Sequence, residues 1–196
     1  TVTYMEDDEV AVITADDVQI FDRDRFQLEK EKHEIEWDVS AAEKGGYAHF
    51  MLKEIMEQPE AVRKTISPRL ADGEIVLEEL RDAKELMKSI SRIYIVACGS
   101  AYHVGMVGKY ALEKMMHIPV EACLASEFRY SEPILGESSL VIIISQSGET
   151  LDSMAALREA KKRGSKVLSI VNVMGSSIAR ESDYVLYTWA GPEIAV

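Results

Sequence analysis

The apolar positions of this chain follow two rhythms. From Arg92 onward, the aliphatic runs "RIYIVACG", "VEACLAS", "SLVIIISQ", "KVLSIVNV" and "YVLYTW" recur at regular intervals. Each is of strand length, and the unbroken apolar character of the first, third and fourth marks strands buried on both faces. Between them, "AYHVGMVGKYALEKMM" and "GETLDSMAALREAKKRG" carry a helical period, the second stopped by Gly164, and "SSIARES" predicts a shorter helix. Strand and helix in alternation predict an α/β fold, a parallel sheet with helices on both of its faces.

Upstream the rhythm changes. Val10, Val12, Val18 and Ile20 alternate with other residues between acidic clusters, which predicts two or three short strands within residues 1–22. So few strands need a covering element, so this segment reads as the incomplete edge of a larger domain. The next stretch, "RDRFQLEKEKHEIEWDVSAAEKGG", is charge-rich and aperiodic, as an exposed linker would be. Tyr47, Met51, Ile55, Val62 and Ile66 then form a helical stripe, with Pro59 expected to restart the helix at a first turn. A second helix is predicted from Val76, Leu80, Ala83, Met87 and Ile90, with Glu78, Glu79, Arg81, Asp82 and Lys84 on its wet side. The expected division is residues 1–22, a linker and helix over 23–74, and an α/β domain over 75–196.

Charge narrows the classes of partner. Across 196 residues, 22 Lys and Arg stand against 34 Asp and Glu, a formal net charge of -12. That balance disfavours a nucleic acid or an anionic membrane surface, yet leaves room for a local pocket that takes a small anion. No apolar run approaches the roughly 18–20 residues of a membrane span, and the acidic start "TVTYMEDDEVAVI" lacks the pattern of a signal peptide. It also lacks an initiator methionine, which fits either the removal of a tag or a chain that starts inside a longer protein. Two cysteines, Cys98 and Cys123, are too few for a disulfide framework and have no CxxC neighbour, so a reduced, cytoplasmic protein is expected.

In an open parallel sheet, ligands bind beyond the carboxyl ends of the strands. Two polar, glycine-bearing turns fall there: "CGSAYH" after the first strand and "SQSGET" after the third. In the latter, Ser145, Gln146, Ser147 and Thr150 supply donors, Gly148 lets backbone approach a ligand, and the following helix points free N–H groups at the same space. Such a cradle suits a phosphate ester. The competing reading is an ordinary helix start, with Ser147 as the cap and Thr150 at the third helical position. Neither a Gly-x-Gly-x-x-Gly fingerprint nor a Walker loop is present, so a sugar phosphate is a better candidate than a nucleotide. His103 follows the first turn and could act there as an acid or base, although a polar cap is the commoner role. His33 and His49 fall in linker and helix, His117 ends a helix, and none has metal-ligand spacing with the cysteines. Glu127 and Arg129 in "ASEFRYSEP" could bracket a polar ligand, although a surface ion pair at a helix start is the commoner reading.

Taken together, "ACGSAYHVG", "ASEFRYSEP", "SQSGETLDS", "NVMGSSIARESDY" and "AGPEIAV" resemble the first sugar isomerase (SIS) domain of the glutamine:fructose-6-phosphate aminotransferase family. "FMLKEIMEQPEAVRKTI" resembles the helical segment joining that family's two halves, and "EDDEVAVIT" with "VQIFD" the last strands of its glutaminase domain. "SQSGET" marks only the wider sugar-phosphate group; "KEIMEQP" singles out the aminotransferases. The resemblance implies a five-stranded, flavodoxin-like parallel sheet in three α/β/α layers. It also implies a phosphate site at Ser145, Gln146, Ser147 and Thr150 with Ser100, and backbone contact to the sugar from Val196. The implied ligands are fructose 6-phosphate and glucosamine 6-phosphate, with no metal or organic cofactor and a homodimeric assembly. Two positions depart from the family. Ala101 stands where a hydroxyl is usual, leaving its backbone N–H as the available contact, and Met174 replaces a proline. The family's nucleophilic cysteine, acid–base residues and Schiff-base lysine lie in segments this sequence lacks, so the chain alone is expected to bind and not to catalyse. The alternative is a non-catalytic sensor of amino-sugar phosphates, although the acidic linker offers no basic helix for a DNA partner.

Overall fold

Three short antiparallel strands, in the order β1-β2-β3, make up the first of two units. They are β1 (Val10–Ile13), β2 (Val18–Phe21) and β3 (Gln27–Leu28). The structure, a computed structural model, describes residues 2–32 and 43–195. The third strand lies within the stretch expected to be linker, and Asp22 explains it. Its carboxylate accepts the Phe26 N–H at 2.8 Å, and Arg25, at φ 68°, turns the chain back. Residues 33–42 of that linker, His33 among them, lie outside the described residues.

The second unit, Gly46–Val196, opens with α1 (Phe50–Ile66). Pro59 does not restart this helix; it sits inside it on an exposed position, where the lost backbone bond is open to water. The apolar stripe that signals the helix remains about half exposed at Met51, Ile55, Val62 and Ile66. A two-stranded hairpin follows, β4 (Leu70–Ala71) and β5 (Glu74–Ile75), turned by Asp72-Gly73 with positive φ at both residues. The second predicted helix is therefore shorter than its stripe. It begins as a 3-10 turn over Glu78–Ala83 and becomes α-helical only in α2 (Lys84–Ser89), because Val76 N–H is held by Arg69 O at the base of the hairpin and Leu77 keeps a non-helical conformation.

Beyond Ile90 the chain alternates as its pattern predicts. The elements are β6 (Arg92–Ala97), α3 (Gly99–Met116), β7 (Val120–Leu124), α4 (Ala125–Phe128), β8 (Ser139–Ser145), α5 (Leu151–Lys162), β9 (Lys166–Val171), α6 (Ser177–Glu181) and β10 (Tyr184–Tyr187). All pairings among these strands are parallel, in the order β10-β9-β8-β6-β7. This is the flavodoxin-like order, which switches direction between β6 and β8. Alternate residues of each aliphatic run enter opposite cores. Tyr94, Val96, Val141 and Ile143 pack with Phe128, Leu157 and Ile178 on one face; Ile93, Ile95, Leu140 and Ile142 pack with Leu86, Met87 and Leu112 on the other. The result is three α/β/α layers. Phe128 is fully buried and meets the Tyr94 ring edge-on at 5.7 Å. The end of α5 at Gly164 is a Schellman arrangement, with Gly164 N–H donating to Lys161 O and Ser165 N–H to Ala160 O.

Asp183 fastens β9 to the start of β10 by accepting Lys166 Nζ at 2.9 Å and Val167 N–H at 3.0 Å. Burial pushes its carboxyl up, but the Lys166 and Val167 hydrogen bonds and the nearby ammonium charges of Lys161 and Lys166 outweigh this and hold it below the ordinary 3.8. A depressed carboxyl contributes stability above its unfolded value and loses it as pH falls through the folded one. Urea midpoints measured from pH 6 down to pH 2, a range set by ordinary carboxylate titration, should therefore fall more for the native chain than for Asp183→Asn. Parallel curves would show that Asp183 is not responsible.

Candidate functional site

The two polar turns stand on either side of the β6/β8 switch. "CGSA" leaves β6 and forms the first turn of α3, whose capping residue Cys98 makes no side-chain cap bond. The first intrahelical bond runs from Tyr102 N–H to Cys98 O, which leaves the N–H groups of Gly99, Ser100 and Ala101 without helical partners. "SQSGET" leaves β8 in the same way. Thr150, not Ser147, is the residue that precedes α5, and it too makes no side-chain cap bond. The helix-cap explanation for Ser147 thus does not hold in its simple form. Its Oγ instead accepts Glu149 N–H at 3.2 Å, leaving the hydroxyl proton available to a ligand. Ser145 Oγ accepts Gly148 N–H at 3.1 Å and pairs with Thr150 Oγ1 at 3.1 Å, which stiffens the turn.

A carboxylate facing into this turn would repel any anion bound there. Glu149 turns away, and its Oε1 accepts Ser177 N–H at 2.7 Å at the start of α6. Behind it, Ile178 N–H donates to Gly148 O at 3.0 Å, so the loop is braced on α6. The fit is tight. A Cβ on Gly148 would stand 2.0 Å from Ser176 Oγ, and Gly148 itself has φ 67°.

Both turns open into one cavity of about 390 Å³. Ser100, Ala101, Ser145 and Gln146 line it, as do Val104 of α3 and Asn172 after β9. Ser147 and Thr150 stand beside it in the same loop without lining it, and Val196 lies outside the described residues. His103 is exposed, with its ring against Tyr102, and is not among the lining residues. His49 precedes α1, and His117 ends α3 in a left-handed conformation. Arg129 lies over the Tyr130 ring at 4.6 Å and donates to its hydroxyl, in place of the expected pairing with Glu127. Met174 is exposed on the loop between β9 and α6. Burial, with the Glu121 carboxylate beside it, pushes the Cys123 thiol up to about 11, which makes it a poor nucleophile. No group of three or more His, Cys, Asp or Glu able to hold a metal occurs among the described residues, nor any helix long and apolar enough to cross a membrane.

The rest of the lining was not expected from the motifs. α1 contributes Glu54, Glu57, Gln58 and Ala61, and the segment after β10 contributes Thr188, Ala190, Gly191, Pro192 and Glu193. The helix expected to be part of a linker is therefore a wall of the cavity. It is tied there by Thr65, whose hydroxyl bonds Thr188 O, and by Arg69. The Arg69 guanidinium donates to Tyr187 O at 2.8 Å, Thr65 O at 3.0 Å and Glu79 Oε1 at 2.7 Å, and lies over the Trp189 ring at 4.1 Å. The signal for this wall was "KEIMEQP" itself, a motif whose residues have no role in a simple spacer.

Comparison with known proteins agrees with this geometry. Residues 86–196 match the family model described as the SIS domain. The glutamine–fructose-6-phosphate aminotransferase [isomerizing] of Clostridium acetobutylicum is 55% identical over 98% of the chain, and that of Caldanaerobacter subterraneus subsp. tengcongensis is 55% identical over 100% of it. The chain spans 32% of the length of each of these relatives. Among solved structures, the C-terminal domain of glucosamine-fructose-6-phosphate aminotransferase from Francisella tularensis superposes with a TM-score of 0.73 at 49% identity, covering 78% of this chain and 43% of that one. With its flavodoxin-like sheet and the match over residues 86–196, this chain belongs to the SIS domain family.

Proposed function

We propose that this chain is the sugar-phosphate-holding part of an isomerising glutamine:fructose-6-phosphate aminotransferase, and that it binds fructose 6-phosphate or glucosamine 6-phosphate. The observation that carries the reading is the pair of uncapped strand-to-helix turns, one on each side of the switch in strand order, opening into a single cavity. The relatives named above support the choice of sugar and of reaction.

In this reading the phosphate lies against the first-turn N–H groups of α3 and the side chains of Ser100, Ser145, Gln146, Ser147 and Thr150. Ala101 contributes its N–H alone, and Val196 contributes a backbone contact to the sugar. The positive ends of α3 and α5 offset the repulsion that a chain of net charge -12 exerts on an anion. The intact enzyme transfers ammonia released from glutamine to the sugar carbonyl and isomerises the product to glucosamine 6-phosphate. This chain's share is to bind and orient the sugar phosphate, in a cytoplasmic homodimer.

Titration followed by amide NMR tests the site. Glucosamine 6-phosphate should shift Ser100 and residues 145–150, whereas unphosphorylated glucosamine should leave them in place. Shifts confined to other residues would remove the assignment. Ser147→Ala should weaken binding by about 1–3 kcal/mol, the cost of losing a hydrogen bond to a charged group, and an unchanged affinity would reduce Ser147 to a turn former.

A further inference from the structure

The phosphate turns leave "KEIMEQP" without a role, although Glu57 and Gln58 follow Glu54 by three and four residues on one face of α1 and all three line the cavity. We propose that Glu54 is a positioning residue for the sugar end of that cavity, holding the segment after β10 in place as its wall. The proposal rests on the phosphosugar reading above. Glu54 Oε1 accepts two backbone N–H groups, from Ile194 and from Ala195, each at 2.9 Å. Without such partners a carboxylate here would repel a phosphate ester; two charge-assisted bonds occupy it and fix the segment at once.

The other end of the same segment is pinned by Asn172. Its Oδ1 accepts Thr188 Oγ1 at 2.8 Å and Ala190 N–H at 2.9 Å, and its Nδ2 donates to Gly191 O at 2.6 Å. Pro192 and Glu193 lie between the two pins and, like the pinned Ala190 and Gly191, line the cavity. Trp189 at φ 48° and Gly191 at φ 90° bend this stretch away from any regular strand, so its course depends on the side chains that hold it. The Asn172 pin touches "SQSGET", since its N–H donates to Gln146 O at 3.0 Å, but the bonds of Glu54 go to Ile194 and Ala195 and to neither turn. Holding the wall through Glu54 is therefore separable from gripping phosphate.

The experiment compares glucosamine 6-phosphate with inorganic phosphate on the full chain, together with amide exchange at Ile194 and Ala195. Glu54→Ala should raise the Kd for glucosamine 6-phosphate about tenfold, leave that for inorganic phosphate unchanged, and speed exchange at both amides. Glu54→Gln retains a carbonyl acceptor and should stay within about threefold of the native chain. Glu54→Asp keeps the charge and withdraws the oxygen by one methylene; it should reproduce the selective loss even if the alanine variant fails to fold. Equal weakening for both ligands, no weakening for either, or unchanged amide exchange would overturn the role of Glu54 alone. Failure of the native chain to bind glucosamine 6-phosphate would overturn the phosphosugar reading and this role with it.

Discussion

Gly148→Ala is expected to destabilise the protein by about 2–6 kcal/mol, the sum of a left-handed backbone cost and an overpacking cost, and to abolish phosphosugar binding. Gly148 holds φ 67°, and a methyl there would meet Ser176 Oγ at 2.0 Å and Ser176 Cβ at 2.5 Å. Ser176 cannot easily yield. It is 3% exposed and stands at the start of α6, which itself braces the loop through Ile178, and rotating its hydroxyl away would leave the clash with its Cβ. Gly99→Ala is the matched control. Gly99 also has positive φ, 56°, but a Cβ there meets nothing within 4 Å, so only the backbone cost of about 1–3 kcal/mol applies. Urea unfolding of the two variants separates the effects, and equal midpoints would show that Ser176 gives way.

Arg69→Ala should cost on the order of 3 kcal/mol, because it removes a mostly buried guanidinium and strips partners from a partly buried carboxylate and from two carbonyls. The side chain is 12% exposed, and it joins Glu79 of the 3-10 turn, Thr65 of α1 and Tyr187 at the end of β10. Burial pushes the Glu79 carboxyl up, yet the Arg69 hydrogen bond and charge outweigh it and leave it below the ordinary value. Arg69→Lys should recover only part of the loss, since an ammonium cannot fork to three oxygens and stack on Trp189 at once. Urea unfolding followed by Trp189 emission, in a Trp37→Phe background that leaves a single indole, reads both stability and the stacked ring. A native-like midpoint for Arg69→Ala would mean that α1 is held by other contacts.

The strands were legible because burial on both faces writes an uninterrupted aliphatic run, as in "SLVIIISQ", and Gly164 marked the end of α5 by a local device. Ser100, Ala101, Ser145 and Gln146 were legible as cavity residues because strand-to-helix turns at the carboxyl edge of a parallel sheet have few other places to point. Periodicity alone did not give the strand order; the family resemblance did. The wall formed by Glu54 and Gln58 was hidden for a different reason. An amphipathic stripe reports which residues share a helix face and carries no record of what that face meets. The stripe through Met51 and Ile55 thus drew attention to the apolar side of α1, while its cavity side is polar. Local competition explains the remaining differences: Asp72-Gly73 imposed a hairpin on what read as the approach to one continuous helix, and Asp22 made a turn inside what read as linker.

The ties between α1 and the segment after β10 also bear on how the protein folds. Thr65 and Thr188 are 123 positions apart, and Glu54 and Ala195 are 141. Contacts of such separation need the intervening chain to be ordered first, and they slow folding in proportion to the loop entropy they close. The "SQSGET" turn of the proposed phosphate site depends on nearer pairings, such as Gly148 with Ser145 and Ile178. In refolding, the anion cradle should therefore form before the cavity around it, and inorganic phosphate should be recognised earlier than the sugar it carries.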